Sequence, residues 1–176
     1  MRRHIDRFEA LFNRTIYALI VLVAISIGSF AVLIPFNLFI VKTGIGAIWW
    51  LHEGVEYALY VGVFLGAPWV LQQGAHVRVD VLVSALPTNA AAWLERILDL
   101  IGASLSLVLC IYGARLAMSE YQDGTLPDKD LRIANWIMMT VFAVAFFLVA
   151  IEFLFRVRRA NEIVVEESTE KKEAGF

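Results

Sequence analysis

The stretch EGVEYALYVGVFLGAPWVLQQGAHVRVDVLVSALP, residues 53–87, decides how the rest of the chain is read. Residues 57–71 contain no charged side chain. With their flanks they are long enough to cross a bilayer as a helix, which takes about 20 apolar residues. Gly54, Ala58, Gly62 and Gly66 recur at every fourth position, so one face of that helix carries no bulky side chain. In lipid such a ridge lets a second backbone approach closely enough for van der Waals packing to hold the two together. After Gly74 the pattern changes to His76-Val77-Arg78-Val79-Asp80-Val81, polar and apolar in strict alternation. A buried spanning helix is not built that way, so here the chain is expected to leave the membrane and lie against its surface.

The composition supports a membrane reading throughout. Of the 176 residues, 60% are hydrophobic and the mean hydropathy is +0.70, whereas soluble domains hold roughly 45–50% apolar residues. Four apolar runs account for the excess, over residues 15–41, 48–71, 93–118 and 131–155. The expected fold is therefore an all-α membrane protein with four transmembrane helices and an interfacial amphipathic segment after the second. Residues 1–159 form one membrane domain. Residues 160–176 are charged and lack apolar periodicity, the composition of a disordered tail. The first run exceeds the roughly 7–15 residues of a signal-peptide core, and no cleavage site follows it, so it is read as a retained helix.

Within the spans, Pro35 is the expected bend of the first, because it removes a backbone donor and crowds the preceding turn. Lys42-Thr43-Gly44 ends that helix, and Trp49, Trp50 and Trp136 fall where an aromatic belt holds one interface. Wound as a helix, the segment after Gly74 puts His76, Asp80 and Ser84 on one face and Val79, Leu82, Val83 and Leu86 on the other. A shorter helix capped by Asp80 is the alternative. A strand is disfavoured because its edges would go unpaired. In the third span Gly102, Ser106 and Cys110 form a second small-residue ridge, placed to face the ridge of the second.

Basic residues set the orientation. With the N-terminus inside, the inner segments carry Arg2, Arg3, Arg7, Arg14, Arg78, Arg96, Arg156, Arg158, Arg159, Lys171 and Lys172, and the outer ones only Lys42, Arg115, Lys129 and Arg132. Both termini are accordingly expected in the cytoplasm. Residues 1–14 read as a basic amphipathic helix on an anionic leaflet or as a solvated extension of the first span.

Ionisable groups in spans are costly and each needs an account. Glu53 and Glu56 lie one turn apart near the outer end of the second span. Paired carboxylates at membrane depth bind cations or share a proton, which would make this an autonomous proton- or cation-coupled transporter. Their place only about a turn inside the tryptophan pair favours hydrated interfacial groups or anchors facing a partner instead. Glu95, Arg96 and Asp99 read as a local cluster, and Glu152 and Arg156, four apart, as a helix-surface ion pair.

A b-type haem needs two histidines at one depth, but His52 and His76 are about 36 Å apart along an ideal helix. Cys110 is the lone cysteine, so no disulfide or cysteine-based metal cluster forms within the chain. No nucleophile–base or phosphate-cradling motif occurs. The chain is read as a non-enzyme without cofactor, metal or nucleic-acid partner.

One part of the pattern is specific. An acidic residue opening the second span, Phe64-Leu65-Gly66-Ala67 near its end, and Gly74-x-His76-Val77-x-Val79-Asp80-Val81-Leu82 before Leu86-Pro87 resemble the small, DctQ-like membrane subunit of TRAP transporters, the tripartite ATP-independent periplasmic systems. The chain departs at Gln72-Gln73, where the family often has an arginine. The resemblance implies a scaffold subunit in a bacterial inner membrane, packed against a large permease. A periplasmic solute-binding protein would deliver the solute, and sodium would drive uptake of organic acids. Residues His76, Arg78 and Asp80 become a candidate inner-face docking site toward a loop or lipid. Glu53, Glu56, Gly54, Ala58, Gly62 and Gly66 become candidates for facing the partner.

Overall fold

The computed structural model describes residues 2–73 and 88–173, with side chains over 7–73 and 93–158. Four helices carry the chain: α1 (Arg2–Lys42), α2 (Leu51–Gln72), α3 (Thr88–Asp123) and α4 (Asn135–Glu173). No strand occurs among the described residues. Each helix contains a stretch apolar and long enough to cross a membrane, Arg7–Lys42, Leu51–Gln72, Trp93–Asp123 and Asn135–Arg158. Helices suit that setting because every backbone donor is satisfied within its own segment.

The turns follow local chemistry. α1 ends at Lys42 as expected, and Gly44, at φ 74°, takes the left-handed conformation that other residues adopt at a cost. Asn37 then accepts the Ile48 backbone N–H at 2.8 Å, closing the connection to α2. α4 begins at Asn135, four residues later than the apolar run suggests, because residues 129–131 are bound to α2. At its other end α4 extends to Glu173. Glu and Lys are good helix formers even where no apolar face gives a packing reason.

The helices form a row. Extensive packing joins α1 to α2, α2 to α4, and α4 to α3. Of each apolar window, 28% is buried in α4 and 6% in α1, which makes α4 central and α1 peripheral. Large side chains such as Leu22, Val32, Phe39, Val63, Leu105 and Phe147 point outward. In lipid that outward apolar surface is the ordinary state of a spanning helix.

Each small-residue ridge is filled, but not by the other ridge. A Cβ placed on Gly62 would lie 3.1 Å from Val23 and 3.5 Å from Ile27, and one on Gly66 would lie 3.5 Å from Ile20. Gly54 faces its neighbour Trp50 and Phe30. The α2 ridge therefore receives the branched side chains of α1. On α3, Gly102 sits under the ring of Phe153, Gly113 under Phe142 and Ala143, and Ser106 is buried. That second ridge belongs to α4. The expected pairing of the two ridges is corrected for a simple reason: α4 lies between α2 and α3.

Candidate functional site

Two polar clusters fasten the row, one at the end carrying the two turns and one at the end carrying the termini. At the turn end, α2 grips the segment leading into α4. Glu53 accepts the backbone N–H of Asp130 at 2.9 Å with one carboxylate oxygen and that of Leu131 at 2.7 Å with the other. One turn on, the Tyr57 hydroxyl donates to the Leu131 carbonyl at 3.3 Å. Lys129 reaches Glu56 at 2.7 Å and lies 5.1 Å from the centroid of the Tyr57 ring. Its hydrogen bond to the Glu56 carboxylate raises the Lys129 pKa above the ordinary lysine value. Positions 53, 56 and 57 share one side of the helix, which is why one turn of α2 holds three consecutive residues of the loop.

The far side of the same loop is tied to α3. The Glu120 carboxylate accepts from the Thr125 hydroxyl and from the Asn135 side-chain amide, the latter at 3.4 Å. Tyr121 stacks edge-on against Trp136 with ring centroids 5.5 Å apart.

At the terminal end the central side chain is Glu152, with no exposed surface. Its carboxylate accepts from the Gln72 amide at 2.9 Å, and the same nitrogen donates to Asn13 at 2.9 Å. One residue each from α1, α2 and α4 thereby meet. Arg156 bridges to Asp99 of α3 at 3.4 Å and donates to the Leu71 carbonyl at 3.5 Å, so the fourth helix joins too. Arg158 pairs with Glu9 at 3.8 Å. Beneath this layer Phe12, Ile16 and Phe155 form an apolar core, with Trp69, Leu148 and Ile151 packed on it. A buried carboxylate is tolerable only when its oxygens find donors, and Gln72 at the end of α2 is one of them.

Between the two clusters the α2–α4 seam is aromatic. Phe64 meets Phe142 with centroids 5.2 Å apart, and the Tyr60 hydroxyl donates to the Met138 carbonyl at 3.2 Å.

Apart from its α1 members Glu9, Phe12, Asn13 and Ile16, this network falls within the part of the chain that a known family shares. The model of the DctQ component of tripartite ATP-independent periplasmic transporters matches residues 30–161, more than half of the chain. The chain belongs to the DctQ family. A comparison with curated proteins gives no match. The family is one of transporter components, not of enzymes, and with four membrane-spanning-capable helices it makes this DctQ chain a multi-pass membrane protein.

Several residues singled out in the sequence make contacts within this DctQ chain. Glu53, expected to face a partner, holds its own chain's loop, and Gly54, Gly62 and Gly66 face α1 or a neighbouring side chain. Ala58 on the same ridge is half-buried. Glu152, read as part of a helix-surface pair, is interior and accepts from Gln72. Cys110 lines a cavity between α3 and α4, among residues such as Ala114, Trp136 and Phe147. His76, Arg78 and Asp80 lie outside the described residues.

Gln72, Asn13, Tyr57, Tyr60 and Gly113 were missed. Gln72 and Asn13 carried one signal, since each is an uncharged polar residue at the end of an apolar run.

Proposed function

We propose that this DctQ-family chain is the non-catalytic small subunit of a sodium-coupled, binding-protein-dependent secondary transporter for organic acids. It braces a large permease subunit in a bacterial inner membrane, with both termini in the cytoplasm. The permease and a periplasmic solute-binding protein handle the solute. The observation that carries this reading is the family match over a row of helices whose ion pairs, among the described residues, lie at the two ends of the spans. That distribution suits a body that holds its shape across the membrane.

Residues His76, Arg78 and Asp80 belong to the same proposal as a docking site. The amphipathic segment after α2 would lie in the headgroup layer, with its polar face toward a permease loop or lipid.

The alternative, autonomous transport coupled to Glu53 and Glu56, is not favoured. Both oxygens of Glu53 are engaged by backbone N–H groups, and Glu56 is held by Lys129. The experiment is co-expression with a large hydrophobic permease encoded beside this chain, followed by affinity purification and reconstitution. Stable co-purification, with uptake only when both subunits and the binding protein are present, is the expected result. Solute accumulation by vesicles holding this chain alone would overturn it.

A further inference from the structure

Because α4 separates α2 from α3, a groove runs between those two helices with α4 as its floor. It encloses about 730 Å³, within the roughly 300–1,000 Å³ range of ligand sites. Its walls are Phe64 on α2 and Leu109 and Leu116 on α3, its floor includes Phe142, and toward the turn end it carries Arg115.

Arg115 is exposed and forms no ion pair among the described residues. Its guanidinium carbon lies 5.9 Å from the centroid of the Tyr112 ring, a cation–π neighbour. A lone cation on a spanning helix is costly unless it reaches water or an anion. Counting ~1.5 Å per residue, the Arg115 backbone lies about 10 Å from the midpoint of Trp93–Asp123. The hydrocarbon half-thickness is about 15 Å. A long side chain extending toward the interface makes up the difference and brings the guanidinium to the level of lipid phosphates. The groove thus has an apolar trough and one positive group at its mouth.

We propose that this groove seats one phospholipid, with its phosphate on Arg115 and an acyl chain laid over Phe142 between Phe64 and Leu109. Guanidinium and phosphate match in charge and in hydrogen-bonding geometry, and the trough admits a chain because α2 and α3 are held apart by the width of a helix. The seat is built from this chain's own residues.

Native mass spectrometry of the delipidated full-length chain, titrated with phosphatidylglycerol, tests this. The wild-type protein is expected to retain one lipid. Arg115→Gln should lower the retained fraction about fivefold, the effect of one basic side chain near a lipid surface, and Arg115→Lys, which keeps the charge but not the guanidinium fork, should fall between it and the wild type. Leu109→Trp, which fills the trough without changing charge, should also displace the lipid. Equal retention by wild type and Arg115→Gln would overturn the proposal, as would loss with Arg115→Gln but not with Leu109→Trp. A photo-reactive residue at position 116 that cross-links to a membrane protein in cells, and never to lipid, would also overturn it by assigning the groove to a protein helix.

Discussion

The Gln72 side-chain amide donates to the buried carboxylate of Glu152 across 80 residues of sequence, and the same nitrogen reaches Asn13. This relationship joins α2 to α4 and α1 at the point where their apolar surfaces give out. Hydrogen bonds to charged groups contribute roughly 1.5–3 kcal/mol, and a buried carboxylate stripped of its donor costs about the same or more.

Gln72→Leu should therefore destabilise the chain by about 2 kcal/mol, since it leaves a carboxylate oxygen of Glu152 without this donor. Glu152→Gln should be milder, because an amide oxygen still accepts from Gln72. The double variant Gln72→Leu/Glu152→Leu should recover part of the loss, since removing both partners avoids an orphaned polar group. Thermal unfolding in detergent of these variants and of Glu152→Leu alone, read as a double-mutant cycle, checks the order. A double variant worse than the sum of the singles would contradict it.

Glu53 acts on backbone, so its shape matters more than its charge. Glu53→Gln has one acceptor oxygen where glutamate has two, and should free one of the N–H groups of Asp130 and Leu131. Glu53→Ala should free both, at about 1–3 kcal/mol. Limited proteolysis of the turn between α3 and α4 is the measurement. Cleavage should rise from wild type through the glutamine to the alanine variant.

The Lys129–Glu56 contact gives a pH dependence with a definite sign. The folded Lys129 pKa is raised above the ordinary value of 10.5. Its contribution is fully present below that ordinary value and is lost only as pH rises through the higher folded value. Loop protection should stay flat from neutral pH to about 9 and fall in stronger alkali. In Glu56→Gln the Lys129 titration, followed by NMR of its ε-methylene group, should move back toward the ordinary value. No movement would show that Glu56 is not the cause.

The α3–α4 seam predicts a contrast between glycines. A Cβ on Gly102 would lie 2.6 Å from the Phe153 ring, whereas one on Gly28 meets nothing within 4 Å. Alanine gains about 1 kcal/mol of helix propensity at either site, but overpacking at position 102 costs about 1–3 kcal/mol. Gly28→Ala should be neutral or stabilising and Gly102→Ala net destabilising, as read by heat denaturation in detergent.

Much of this fold was legible because lipid imposes simple rules. Uninterrupted apolar runs had to be helices, and the Lys42-Thr43-Gly44 stop fell where α1 ends. Small residues at every fourth place had to meet something. What they meet was not legible, since spacing fixes the face of a helix and not its neighbour; Gly62 awaited Val23, and Gly102 awaited Phe153. The polar contacts were harder still. Glu53 binds backbone atoms, which leave no trace in side-chain pattern, and Gln72 read as a departure from a family motif before it proved to be an interhelix donor. Glu152 and Arg156 illustrate the limit, because four-residue spacing suggests an intrahelical pair even when other helices compete for both groups.

The row order α1, α2, α4, α3 has a mechanical consequence. The chain lays down two hairpins, α1 with α2 and α3 with α4, and each is zipped by glycines against bulky side chains of its own partner. The crease between them lacks such a zipper along its length; it is stitched at one end by Glu53, Tyr57 and the Glu56–Lys129 pair, at the other by Gln72, Arg156, Arg158 and the Phe12–Phe155 contact, and in between by Tyr60 and stacked phenylalanine rings. Bending of the sheet of helices will concentrate at that crease, so these contacts govern how stiff a plate the subunit presents to whatever moves beside it.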